Sequence, residues 1–281
     1  MEEQRSAETR ARAEKALAQL LHGLDGIDIE IVVLGGLVPE VLTRGREVEA
    51  PSHLGTTDVD ILLVTHVDQD DDLSAVEKSL ISLDFEPENT PTGFGWRWRG
   101  RIDGHKAKIE FLCDLETCRE GEIVKPAGCE NLTACNLRGT GFVARDWAWE
   151  EIHSTDSEGE SIVVKARFAG LQGYLLSKCF AVRGRAAEKD YYDLPYVLLH
   201  NRAGGPKAAA DLLREGPFED DLRGLKSLFR EIQARYLNPN DQAPRNYAAQ
   251  MLLVEPGQDE TILRGDAVTA VATFCELLLA P

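Results

Sequence analysis

The chain has 281 residues, a formal charge of −17, and 43% hydrophobic and 28% charged residues, a globular composition with room for two ordinary domains. That acidity excludes a surface adapted throughout to nucleic acid, because phosphate binding wants a broad positive field, but it permits a local basic groove or a cationic substrate. No apolar run approaches the ~20 residues that cross a bilayer, and Met1 to Lys15 is charged rather than signal-like, so a cytoplasmic protein with no membrane partner is expected.

The first element expected is a helix over residues 5 to 24, with Ala13, Ala16, Leu17, Leu20, Leu21 and Leu24 on one face. Ile27 to Leu34 then reads as a β-branched strand that runs into a Gly35-Gly36 corner. Without a Cβ on either glycine, backbone there can approach a polyphosphate closely. A short helix with Pro39 in its first turn follows, and then a polar, irregular segment from Thr43 to Gly55.

Thr56-Thr57-Asp58-Val59-Asp60-Ile61-Leu62-Leu63-Val64 is the next strand. Side chains alternate faces along it, so Asp58 and Asp60 project together and can share one or two Mg²⁺ ions. The acidic residues of Asp68 to Asp72 lack EF-hand spacing and read as the amino end of the helix carrying Leu73, Val76, Leu80 and Leu83.

Phe94 to Ile102 alternates strictly, and Asp103-Gly104 is a two-residue hairpin signal before His105 to Leu112. Closing that turn sets Trp98 opposite Ile109, Arg99 opposite Lys108 and Arg97 opposite Glu110. One face is then core, and the other gathers Arg97, Arg99, Arg101, Lys106 and Lys108 around Glu110. Surface ion pairs explain such a face by themselves. Beside Asp58 and Asp60, however, Glu110 becomes a third candidate carboxylate and the arginines become candidate phosphate or nucleic-acid contacts.

Residues 113 to 160 read as short strands and loops, with Trp147 and Trp149 as packing residues. The cysteines at positions 113, 118, 129, 135, 179 and 275 form no C-x-x-C pair and read as reduced thiols. From Phe168 onward the periodicity is helical, over about 167 to 185, 189 to 200, 207 to 213, 220 to 236, 243 to 253 and 259 to 279. Two domains are therefore expected, 1–165 and 166–281, the second helical. Lys178, Arg185 and Lys189 would fall within roughly 40° of one another on a continuous helix. A solvated basic face accounts for that spacing; facing carboxylates across a cleft, the same groups could neutralise triphosphate charge, with Asp190 holding Lys189.

Taken in order, Leu34-Gly35-Gly36, His53-Leu-Gly-Thr-Thr-Asp58-Val-Asp60, Lys108-Ile-Glu110, Lys178, Arg183, Arg185 and Lys189-Asp190-Tyr-Tyr-Asp193-Leu resemble the AbiEii/AbiGii toxin-like nucleotidyltransferases of the polymerase-beta superfamily. The resemblance covers roughly residues 27 to 200. It implies an α+β fold in which a nucleotidyltransferase-like mixed sheet flanked by helices is followed by a helical carboxy-terminal domain. It also implies Mg²⁺-dependent nucleotidyl transfer from an NTP, with Asp58, Asp60 and Glu110 as metal ligands. Gly35, Gly36, Thr57, Lys178, Arg185, Lys189 and Asp190 would meet the nucleotide, and Lys178 would join the carboxylates in catalysis. The superfamily's usual Gly-Ser is Gly35-Gly36 here, so backbone amides replace a hydroxyl.

Three functions compete. The first is transfer to an RNA such as tRNA, gripped by Arg97, Arg99 and Arg101, in a toxin that an antitoxin protein would restrain. The second keeps the chemistry but takes a small cationic acceptor such as an aminoglycoside, which the acidity suits. The third is a degenerate domain that binds nucleotide or a protein without turnover.

Overall fold

A computed structural model of the chain describes residues 3–27, 29–45, 49–64, 73–90, 93–185 and 187–280. Two compact units emerge, Met1–Val38 with Gly55–Ala169, and Pro39–Leu54 with Gly170–Pro281. Residues 39–54 thus cluster with the later helices, and the division expected at 165/166 falls inside a strand. The acidic run Asp68 to Asp72 lies outside the described residues.

In the first unit, α1 (Ala7–His22) begins at a reciprocal cap in which Thr9 N donates to Ser6 Oγ at 3.2 Å and Ser6 N donates to Thr9 Oγ1 at 2.9 Å. Ala13, Ala16, Leu17 and Leu20 are buried, as the helical spacing predicts. The strands are β1 (Ile31–Leu34), β2 (Val59–Leu63), β3 (Glu86–Thr90), β4 (Gly93–Ile102), β5 (His105–Cys113), β6 (Ile123–Val124), β7 (Ala134–Asn136), β8 (Trp147–Thr155) and β9 (Ser161–Ala169). They form one mixed sheet in the order β3-β4-β5-β2-β1-β9-β8, with β7 joining β5 and β6 joining β7. Pairing is parallel between β2 and β5, between β1 and β9 and between β5 and β7, and antiparallel elsewhere.

The β4–β5 hairpin has the register that its turn predicts, with Trp98 opposite Ile109, Arg99 opposite Lys108 and Arg97 opposite Glu110. Asp103 (φ 51°) and Gly104 (φ 78°) supply the two positive-φ residues that such a turn demands. On the apolar face of this region Val59, Ile61, Trp98, Ile109 and Phe111 are fully covered, and α1 packs on β2, β4 and β5. Between β2 and β3, α3 (Ser74–Ser82) directs the buried Glu77 carboxylate at the 130–132 loop. There it accepts from the N–H groups of Glu130 and Asn131 and from Asn131 Nδ2, at 2.7–2.8 Å.

Trp147 and Trp149, expected as packing residues, pack against each other and Arg167 at the surface rather than in the core. They alternate onto the outward face of the last strand, 37% and 56% exposed, and Arg167 lies over both rings at 4.6 and 5.3 Å. A groove of about 460 Å³ beside Trp149 is bordered by Ile27, Ile29, Val163 and Arg167. β9 also continues past Phe168, where a helix was expected to begin. Alternating burial through Ala166 and Phe168 keeps the chain extended until Gly170.

The second unit contains α2 (Val38–Thr43) from Pro39 onward, α4 (Leu171–Gly184), α5 (Glu188–His200), α6 (Pro206–Glu215), α7 (Glu219–Leu222), α8 (Lys226–Arg235), α9 (Gln242–Val254) and α10 (Glu260–Leu279). The single helix expected over 220 to 236 divides into α7 and α8 around Gly224, a weak helix former. Pro195 inside α5 cannot donate to the carbonyl of Tyr191, and the buried Tyr236 hydroxyl donates to it instead at 3.0 Å. Segment 39–54 is fastened to the helices by bonds from Leu54 N to Tyr192 Oη (3.0 Å), Tyr196 Oη to Pro51 O (2.7 Å) and Arg202 N to Leu42 O (3.1 Å).

The architecture is α+β, a mixed sheet with flanking helices and a run of carboxy-terminal helices. Among the described residues, no helix is long and apolar enough to cross a membrane.

Candidate metal centre

Strand register builds the site. Asp60 lies opposite Leu34 of β1 on one side and Glu110 of β5 on the other, and Val59 lies opposite Ile109. Parallel pairing therefore sets Asp60 beside Glu110, and one alternation earlier it sets Asp58 beside Lys108, all on one face. Among the described residues, Asp58, Asp60 and Glu110 form the acidic triad whose ligand oxygens lie within 4.8 Å of one another. All three are buried, at 4%, 6% and 2% exposure.

Carboxylates so crowded and dry need compensation. Lys108 Nζ lies 3.1 Å from Asp58 Oδ2 and 2.9 Å from Glu110 Oε1. Arg97 Nε donates to the same Glu110 oxygen at 2.9 Å, while its guanidinium rests 4.3 Å from the centre of the Trp96 ring. Thr56 Oγ1 donates to Asp58 Oδ1 at 2.7 Å. Burial works against the Lys108 ammonium, but the charges of Asp58 and Glu110 and their hydrogen bonds outweigh it, so its pKa sits above the ordinary lysine value.

The glycine corner is fitted to the same carboxylates. Gly35 has φ 72°, and a Cβ built on it would overlap Asp60 Oδ2, lying 2.6 Å from Asp60 Cγ and 2.9 Å from Asp60 Cβ. A Cβ on Gly36 would come within 2.6 Å of Thr56 Cβ and Oγ1. The corner thus gives room first to Asp60 and Thr56. Thr57, expected at the nucleotide, is half-buried at the entry to β2, and it is Thr56 that bonds Asp58.

Three hard oxygen donors converging from adjacent strands suit a divalent cation of the Mg²⁺, Mn²⁺ or Ca²⁺ type. Arg99 and Arg101, on the same face as Arg97, are engaged by Glu88 Oε1 (2.7 Å) and by the Gly104 carbonyl (2.7 Å) respectively. Arg99 and Arg101 are thus exposed groups tied to local partners, whereas Arg97, half-buried, reaches the triad through Glu110.

In the second unit Lys178, Arg185 and Asp190 belong to one network. Lys178, only 4% exposed, donates to Asp190 Oδ1 at 3.1 Å and to Asp193 Oδ2 at 2.7 Å. Asp190 also accepts two bonds from Arg185, at 2.6 and 2.9 Å, and Asp193 Oδ1 meets buried His53 Nε2 at 3.1 Å. Burial raises the Asp190 pKa, but Lys178 and Arg185 outweigh it and hold this carboxyl below its ordinary value. Asp190 therefore secures Lys178 and Arg185. The continuous helix invoked for Lys178, Arg185 and Lys189 is interrupted, because α4 ends at Gly184 and α5 starts at Glu188.

Sequence reasoning gave no role to three participants that its motifs contained. Lys108 stood on the basic face and in the Lys108-Ile-Glu110 motif, and its place one alternation before Glu110 was the signal. Thr56, two residues before Asp58, had the spacing of a local side-chain bond. His53 had no local signal, since its partner is 140 residues away. Compared with known proteins, the chain has no significant match to any family model, curated protein or solved structure.

Proposed function

We propose that this protein is a Mg²⁺-dependent nucleotidyltransferase that moves a nucleotide from an NTP to an acceptor hydroxyl. The observation that carries the reading is the convergence of Asp58, Asp60 and Glu110, from two adjacent strands, beside the Gly35-Gly36 corner. The ordered resemblance to AbiEii/AbiGii toxin-like nucleotidyltransferases supports it.

In this reading Asp58 and Asp60 hold the divalent ion, with Thr56 fixing the Asp58 carboxylate through its Oδ1. The bound ion would supply Lewis-acid polarisation and neutralise phosphate charge. Glu110, contacted by Arg97 and Lys108, would complete the oxygen set and take a proton from an acceptor hydroxyl. Backbone amides of the Gly35-Gly36 corner, next to the carboxylates, would meet the phosphates. Arg97, Arg99 and Arg101 offer a row of donors for an RNA backbone, with tRNA as the acceptor class tested first. A toxin of this type would be paired with an antitoxin protein. The charge of −17 favours, as a second reading, a small cationic acceptor such as an aminoglycoside.

The experiment incubates the protein and Mg²⁺ with each α-labelled NTP and total tRNA, beside an Asp58→Asn, Asp60→Asn double variant. Label entering RNA with wild type alone supports the reading and names the nucleotide. No label on RNA or on a panel of aminoglycosides, with the protein folded and Mg²⁺ saturating, overturns it.

A further inference from the structure

The carboxylate site already contains a cation of the chain's own. Lys108 sits on β5 opposite Arg99 and, through the parallel β2–β5 pairing, beside Asp58, so register alone delivers its ammonium to the carboxylate face. The ammonium bridges Asp58 Oδ2 and Glu110 Oε1 at 3.1 and 2.9 Å, the position that a metal shared by those two groups would take. Its side chain is only 25% exposed. Glu110 Oε1 is engaged a second time, by Arg97 Nε at 2.9 Å. A metal binding at that oxygen would have to displace both donors.

Nucleotidyl transfer through a two-metal site uses cations about 4 Å apart to steady the attacking and leaving oxygens. We propose that Lys108 stands in for one of those two cations, so that the site takes a single exchangeable divalent ion, held chiefly by Asp58 and Asp60. This inference rests on the nucleotidyltransferase reading. Charge agrees with it. Asp58, Asp60 and Glu110 bring three negative charges, Lys108 and Arg97 two positive ones, and one divalent ion takes the five groups from −1 to +1. Without bound nucleotide, a second ion would take them to +3, with like charges crowded around carboxylates that are themselves buried. Lys108 acts as a positioning residue: it holds Asp58 and Glu110 together before any ion arrives and keeps that half of the site fixed when ions are removed.

The test counts bound Mn²⁺ per chain by titration, reading free Mn²⁺ by electron paramagnetic resonance, in wild type, Lys108→Met, Lys108→Arg and the Asp58→Asn, Asp60→Asn double variant. Sites that persist in the double variant are subtracted as surface binding. The expected counts are one for wild type, one for Lys108→Arg, which restores a positive charge, and two for Lys108→Met. Two ions on wild type overturn the proposal whatever the variants do, and so does a count of one on folded Lys108→Met. Equal counts on wild type and the double variant overturn the metal-site reading beneath it, a different result from either of those.

Discussion

Gly35→Ala tests how tightly the corner and the carboxylates are matched. Two costs follow from the structure. An L-residue at φ 72° is strained by about 1–2 kcal/mol, part of which is offset by roughly 0.4–1 kcal/mol from the stiffer unfolded chain. The added methyl also overlaps the Asp60 carboxylate, and because it lies 2.9 Å from Asp60 Cβ, turning the carboxylate alone does not relieve it. Overpacking of that kind costs about 1–3 kcal/mol. Gly121 provides the control, with φ 76° and nothing within 4 Å of its Cβ. Gly121→Ala should therefore lower stability by about 1 kcal/mol, and Gly35→Ala by about 2–4 kcal/mol. Urea unfolding followed by tryptophan fluorescence and far-ultraviolet circular dichroism gives both values. Mn²⁺ binding should weaken in Gly35→Ala and not in Gly121→Ala, because only the first displaces Asp60. Equal losses of stability with unchanged Mn²⁺ affinity would refute the idea that the glycine is there to make room for the carboxylate.

Three further outcomes are expected. Lys178→Met leaves Asp190 and Asp193 buried without their shared cation and should cost about 3–5 kcal/mol in urea unfolding, whereas Lys207→Met, at an exposed i,i+4 pair, should be close to neutral. Glu77 has a lowered pKa because its hydrogen bonds from Asn131, Glu130 and Leu132 outweigh burial, which alone would raise it. Its contribution is therefore present above the unfolded glutamate value near 4.3 and lost as pH falls through the lower folded value, so the roughly 2 kcal/mol penalty of Glu77→Gln at pH 7 should shrink on acidification below about pH 4. Among the six thiols only Cys118 is not buried, and burial pushes Cys113 and Cys275 up to about 12 and Cys135 to about 11, so a thiol reagent should titrate one cysteine quickly in the native protein and six in denaturant.

Local signals were readable in the sequence and distant ones were not. The Asp103-Gly104 turn specified the β4–β5 register, and the alternation through Asp58, Asp60 and Ile61 specified which face carries the carboxylates. Helical periodicity located α5, α9 and α10 to within about a residue of the expected bounds, since their apolar faces repeat regularly. Glu110 was reachable only through the hairpin and the resemblance, because its place beside Asp60 depends on a parallel pairing between strands that no short turn connects. Lys108 was counted with a basic face for the same reason. Lys178 was left between a solvated basic face and a phosphate contact because periodicity reports a helix face but not what covers it; Asp190 and Asp193 hold it here. Where Trp147 and Trp149 pack was not readable either, since aromatic residues on a last strand satisfy the strand pattern whether or not a layer covers them.

The central claim is that Asp58, Asp60 and Glu110 form a divalent-ion site. Crystals grown with MnCl₂ and recorded at the manganese absorption edge test it most directly. The account predicts an anomalous peak in contact with the Asp58 and Asp60 carboxylates, absent from crystals of the Asp58→Asn, Asp60→Asn variant. No peak at these carboxylates in saturating Mn²⁺ would contradict it.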